Sequence, residues 1–304
     1  MIVKKLIKLK ILIKFIIWQF ILLFLLKKKF IKLKVCLCTI GKEENRYIRE
    51  FLEFYKRMKV DKIFLYDNND LKGETFEEVI SDYINSGFVE LINFRGFQSP
   101  QLNSYNNCYK KNSDVYDWIL FYDIDEYIHL EDFRNIRLFL RDKRFYECER
   151  IQLNWVIHTD NNLLYYDKRS IRDRFLELGR KENFSTIKSI IRGHKNNLNI
   201  YCIHMISDTL KNCDGFGNKQ ELLGIYTNKP DYKYYYIDHY SFKSTEEFIG
   251  KLKKTDAFYP NVNNYGKVGI YFSINKITKE KIDFIERETN FNLSDFKKII
   301  NYNY

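Results

Sequence analysis

The chain has 304 residues, and 45% hydrophobic with 17% aromatic content is ample for a sizeable core, so the protein is globular. Its formal net charge of +11 sits almost wholly in residues 1–34, where ten lysines stand without an acid and leave the remainder near +1. A near-neutral body that carries no nucleic-acid-binding motif speaks against a nucleic-acid partner.

The first element is "ILIKFIIWQFILLFLL", residues 11–26, an apolar run broken by Lys14 and Gln19. As a helix it reaches about 24 Å, short of the roughly 30 Å of a hydrocarbon core unless the flanking lysines extend to the interface. No small-residue cleavage site follows it. Lysines interleaved with Ile, Leu, Phe and Trp18 suit an anionic membrane surface, so residues 1–33 are read as a retained membrane-associating segment, interfacial or signal-anchor. The alternative is a terminal helix packed on the body.

From residue 34 short apolar runs alternate with helical patterns, the signature of stacked βα units and a largely parallel sheet. "KVCLCTI" (34–40) predicts a strand, and residues 42–58 a helix with Tyr47, Ile48, Phe51, Leu52 and Tyr55 as its apolar stripe. A strand over 61–70, a helix over 75–87 stopped by Gly87 and a strand over 88–94 follow. Ser99 and Pro100 signal a helix over about 100–112, and "WILFYDIDEYIHL" (118–130) begins as the fourth strand. Residues 149–161 read as another strand, 162–235 show no clear period, and helices return at about 244–254 and 276–302. Without a repeat or a Gly/Ser/Pro linker, the simplest organisation is one α/β domain over 34–245 with a helical extension, 246–304, packed on it. Cys36 and Cys38 alternate on one strand face and read as small core residues, since no CxxC partner exists. Cys108, Cys148, Cys202 and Cys213 lack metal-ligand spacing, and disulfides among them stay open.

Three strand ends carry polar clusters: Thr39 with Glu43 and Glu44, Asp67 with Asn68, and Asp123 with Asp125. In open α/β sheets ligands bind outside the carboxyl ends of strands, which makes these clusters candidates for one site. If the strand persists, Asp123 and Asp125 point to one side, as two carboxylates for a hard divalent cation, Mn2+ or Mg2+, that would meet substrate phosphates. Glu126 then points the other way and reads as a supporting group. A glycoside-hydrolysis pair usually sits on two facing elements, and a solvated turn is the plain alternative.

The stretches 38–70, 100–109, 118–128, 153–161 and 235–248 occur together in an order that resembles the nucleotide-sugar glycosyltransferases of the GT-A fold, and among them glycosyltransferase family 92. The resemblance covers most of residues 35–250. It implies a GT-A, Rossmann-like mixed sheet, mainly parallel and flanked by helices. It further implies that Thr39 and Glu44 line the nucleotide pocket, that Asp67 and Asn68 hold base or ribose, and that Asp123 and Asp125 bind a metal-diphosphate with His239 as a late metal contact. Glu43 and Asp70 stand where relatives often have Asn and Ser. The expected activity is metal-dependent, inverting transfer from a nucleoside-diphosphate sugar to a glycan or lipid-linked acceptor at a membrane, with the catalytic body in the cytoplasm or a lumen. Asp160, Asp208, Asp214 and Glu221 are all candidates for the base that deprotonates the acceptor, and spacing selects none of them. The rivals are a nucleotidyltransferase, for which "TIGKEENRY" offers acids where a phosphate loop is expected, and a catalytically inactive binding protein that kept the fold.

Overall fold

In the computed structural model the described residues are 14, 16–19, 33–97, 100–179, 185–195, 198–207, 209–221, 224–253 and 264–289. The chain divides into Met1–Leu33 and Lys34–Tyr304. In the first unit residues 14 and 16–19 are helical, and most of the expected membrane segment lies outside the described residues. Among those described, no helix is long and apolar enough to cross a membrane.

The second unit opens with β1 (Val35–Gly41), α1 (Asn45–Arg57), β2 (Lys62–Asp67), α2 (Glu77–Asn85), β3 (Val89–Asn93), α3 (Pro100–Asn112) and β4 (Trp118–Phe121). These βα units match the sequence pattern, and α1 buries the expected stripe together with Phe54. Next come β5 (Glu126–Leu130), α4 (Ile136–Leu140), β6 (Arg150–Ile157), α5 (Ile171–Arg174), β7 (Ile187–Arg192), β8 (Asn212–Cys213) and β9 (Tyr235–His239), then α6 (Thr245–Lys253), α7 (Asn264–Ile274) and α8 (Lys279–Thr289). The sheet runs β3-β2-β1-β4-β7-β6-β9-β5, with β8 on β6. β1 to β4 pair in parallel, whereas β7 enters antiparallel between β4 and β6. The expected α/β architecture, a mainly parallel sheet flanked by helices, is therefore present.

Two expectations change. The fourth strand does not run on to residue 130: it stops at Phe121, and Glu126 N donates to Asp123 O at 3.1 Å to close a turn from which β5 departs to pair with β9. The stretch without period holds β7, a central strand, because Lys188 and Ser189 interrupt an otherwise apolar run that the fold buries completely. Of the long C-terminal helix expected to 302, α8 covers Lys279–Thr289 and the rest lies outside the described residues.

Cys36, Cys38 and Cys108 are packed with Phe64, Tyr66 and Phe121 in an apolar cluster on one side of the sheet. On β6, Val156 and Ile157 share a second cluster with Phe248, Leu252, Tyr271 and Phe284 from the last three helices. Cys148 and Cys213 form a disulfide across a separation of 65 residues, tying the approach to β6 to β8. A cross-link closing a loop of that size mainly restricts the unfolded chain, so its reduction is expected to cost about 2–4 kcal/mol. Urea unfolding of the Cys148→Ser/Cys213→Ser variant against the oxidised protein measures this directly.

Candidate active site

The turn after β4 carries Asp123 and Asp125. Because β7 is antiparallel to β4 and Leu120 pairs with Ile190, the amino end of β7 reaches the same sheet edge and sets Lys188 against the turn. Its side chain is wholly buried, with Nζ 2.8 Å from Asp123 Oδ2 and 3.4 Å from Glu126 Oε1. The other Asp123 oxygen accepts from Gln101 Nε2 at 2.8 Å and from Tyr105 OH at 3.4 Å, both on α3. Glu126, fully buried, accepts from Trp155 Nε1 at 2.9 Å and from Asp123 N at 3.0 Å. Burial pulls Lys188 down, but Asp123 and Glu126 more than reverse this and hold it charged. Burial pushes Glu126 up against the opposing pull of Lys188. Glu126 thus supports the site, though it does not point away as extended strand geometry predicts: the turn swings its carboxylate onto the ammonium that also meets Asp123.

Asp125 faces other partners. Glu126 pairs with His239 across β5 and β9, which puts His239 Nε2 3.6 Å from Asp125 Oδ1, while Lys251 Nζ of α6 is 3.7 Å from Oδ2. Burial would raise Asp125, yet His239 and Lys251 carry it below the usual carboxylate range. His239 is itself pulled down by burial, its ring lies 4.1 Å from that of Trp155, and its buried Nδ1 has no hydrogen-bond partner. Asp125 and His239 stand as an ion pair when the ring is protonated, and both are donor types that a divalent cation accepts. Among the described residues no group of three or more His, Cys, Asp or Glu is arranged to hold a metal ion.

Beside Asp125 opens a cleft of about 460 Å³ between the start of α1 and α6, lined by Glu44, Arg46, Tyr47, Lys243, Glu247 and Lys251 among others. Glu44, immediately before α1, accepts from Lys243 Nζ at 3.2 Å, and that ammonium lies 3.9 Å over the Tyr47 ring. The outer wall is pinned to β1: Asn68 N donates to Gly41 O at 2.9 Å and Glu43 N to Asn69 Oδ1 at 2.6 Å. Asp67 is nearly buried, bound to Arg95 Nε at 2.7 Å and to Asn69 N at 2.9 Å. Thr39 is fully buried inside β1 with an unpartnered hydroxyl. Neither Thr39 nor Asp67 lines the cleft, whereas Glu44 does. Sequence reasoning missed Lys188, Lys243 and Lys251; a lone lysine inside "IKSIIR" was the one local signal available.

Residues 31–289 match the model of glycosyltransferase family 92. The chain belongs to glycosyltransferase family 92. A family 92 protein of Oryza sativa subsp. japonica is 27% identical over 108 residues, 36% of this chain and 18% of that protein. One of Ricinus communis is 24% identical over 104 residues, 34% and 18% respectively. The match therefore spans under a fifth of either relative. Among solved structures, S. aureus TarS 1-349 in complex with UDP-GlcNAc is similar at a TM-score of 0.39 and 12% identity, over 84% of this chain and 79% of that one. Its complex with UDP gives 0.37 and 13%, over 86% and 73%.

The base candidates of this family 92 chain part company. Asp160 is buried in an ion pair with Lys281, 2.7 Å from Nζ, accepts from Tyr271 OH and supports the backbone at Asn162 N, 2.9 Å away. Asp214 organises its own loop, accepting from Phe216 N and Asn218 N at 2.9 Å, beside the entering half of β6 and so away from the turn. Glu221 is exposed beyond that loop, and Asp208 lies outside the described residues.

Behind Trp155, His204 is largely buried, its Nδ1 3.0 Å from Ile187 O. Burial, reinforced by Lys188, pulls it from 6.5 down to about 4. The folded state thus binds this proton less well than the unfolded chain. The stability it contributes is present above pH ~6.5 and lost as pH falls toward ~4, at most about 3 kcal/mol. Unfolding free energies measured across this window should fall less steeply in a His204→Gln variant than in the wild-type protein.

Proposed function

We propose that the protein is a glycosyltransferase that moves a sugar from a nucleoside-diphosphate sugar to a glycan or lipid-linked acceptor, with inversion at the anomeric carbon. Family membership sets the reaction class. The observation that carries the site is that Lys251 lines the cleft and also reaches Asp125, so a diphosphate in the cleft lies against the Asp-x-Asp turn. In transfer the acceptor oxygen bonds to the anomeric carbon as the bond to the diphosphate oxygen breaks, and negative charge collects on the departing nucleoside diphosphate. Arg46, Lys243 and Lys251 are placed to offset that charge from a preorganised position. A divalent cation, Mn2+ or Mg2+, would be held by Asp125 and His239 and would supply Lewis-acid stabilisation of the leaving group.

The test is binding of UDP and GDP with Mn2+ present, followed by product analysis with a panel of nucleotide sugars. Asp125→Ala should weaken nucleotide binding by about tenfold or more. Binding indifferent to that change, or release of pyrophosphate in place of a nucleoside diphosphate, would overturn the reading.

The basic apolar segment 1–33 supports membrane association, and the Cys148–Cys213 disulfide favours an oxidising lumen for the catalytic body. Protection of that body from protease added to sealed membranes is the expected result, and full digestion would place it on the cytoplasmic face.

A further inference from the structure

We propose that His204 is the base that takes the proton of the acceptor hydroxyl. The proposal rests on the glycosyltransferase reading above, and it fills a role for which Asp160 and Asp214 are already engaged elsewhere.

His204 is held to β7 by the two residues that flank Lys188. Ile187 O meets its Nδ1 at 3.0 Å, and Ser189 Oγ donates to the His204 carbonyl oxygen at 2.5 Å. The Lys188 ammonium lies 2.8 Å from Asp123, so the same short stretch of strand brings the imidazole to the sheet edge that carries the Asp-x-Asp turn. Trp155 touches both histidines there, its ring centre 5.1 Å from that of His204 and 4.1 Å from that of His239. His204 does not line the cleft in which Arg46, Lys243 and Lys251 would meet the diphosphate. It is thus set apart from the leaving group, as a group that serves the incoming oxygen must be.

A carbonyl oxygen only accepts, so Nδ1 carries the ring hydrogen and Nε2 presents a bare lone pair. Among the described residues no donor meets Nε2. A structural histidine uses both nitrogens, as His158 does with Phe175 O and Asp238 Oδ1 at 2.7 Å each. Burial and Lys188 keep the His204 ring neutral against the opposing pull of Asp123, so the lone pair is available at neutral pH. The turn that carries the ring is also strained. Ile206, a β-branched residue, stands at φ +66°, in the left-handed region, and its N–H closes the turn on Cys202 O at 3.0 Å. Fully buried Arg150 holds that conformation by donating to Met205 O and Ser207 O on either side of it. Strain maintained in this way by buried neighbours collects at active sites.

In the transfer step the acceptor oxygen gives an electron pair to the anomeric carbon. The bond from that carbon to the diphosphate oxygen breaks with its pair onto the leaving group, and the acceptor's proton passes to Nε2. Asp123 favours the imidazolium that results.

The experiment follows nucleoside-diphosphate release from a panel of UDP- and GDP-sugars with Mn2+ present and water as the acceptor, beside UDP binding and melting curves. His204→Gln keeps a side-chain donor for Ile187 O, and should leave UDP affinity within about twofold while release falls by about 10²–10⁴. His204→Ala should lose as much, and added imidazole should restore about tenfold or more of it. In the wild-type protein the nitrogen-15 shifts of the His204 ring at neutral pH should show Nδ1 protonated and Nε2 bare, an observation that needs no folded variant. A ring protonated at Nε2, unchanged release in His204→Gln, or a loss that imidazole does not restore would each overturn the proposal. Failure of the wild-type protein to bind UDP or GDP would instead refute the donor reading, and the base with it, so the two failures are distinct.

Discussion

Replacing Lys188 by Met should lower the unfolding free energy by about 3–5 kcal/mol, because breaking a buried ion pair from one side leaves a charge that the interior cannot solvate. The stranded charge is that of Asp123, 2.8 Å from the ammonium, while Glu126, already pushed up by burial, loses the cation that opposes that push. Methionine fills much the same space on β7, so lost packing contributes little and the effect reports the charge. Adding Glu126→Gln removes the buried carboxyl that Lys188 served while its amide can still meet Trp155 through the oxygen, so the double variant should recover about 0.5–3 kcal/mol relative to the sum of the two single changes. Chemical denaturation at neutral pH measures all four corners of this cycle. A loss under about 1 kcal/mol would mean that Lys188 is not a structural cation.

The second large effect is expected at Asp160→Ala, again about 3–5 kcal/mol, from stranding Lys281. Lys281 is 1% exposed and begins the buried side of α8, and Tyr271 on α7 shares the same carboxylate. Two helices therefore lose their bonds to this carboxylate together, and the melting temperature and the protease resistance of the C-terminal helices should fall in parallel. The variant also decides a chemical question. A general base contributes about 10²–10⁴ in rate, so if Asp160 were the base, turnover per folded molecule would collapse by that factor at a temperature where the fold is intact. Retained turnover at low temperature, with lowered stability, is the expected outcome.

The order of the first four strands and three helices was legible because each is written in neighbours two, three or four residues apart. The stripe Tyr47, Ile48, Phe51, Leu52, Tyr55 is a local pattern, and it is buried as one face of α1. The Asp-x-Asp turn was also visible, since four buried residues of β4 run directly into polar ones. The strand that crosses the centre of the sheet was not. β7 reads "IKSIIR", whose polar positions look like a surface alternation and make sense only once a carboxylate from another part of the chain is set against them.

Sequence by itself determined that this is an α/β protein of family 92 type whose carboxylates collect at strand ends. Tertiary structure alone decided which charge meets which. Asp123 finds Lys188 across 65 residues and Asp160 finds Lys281 across 121. Propensity and periodicity act between near neighbours, whereas an ion pair depends on the register of a sheet that inserts one antiparallel strand between parallel ones. That insertion gives the two aspartates of one short motif different partners: a buried lysine for Asp123, and for Asp125 a histidine and Lys251 of the cleft.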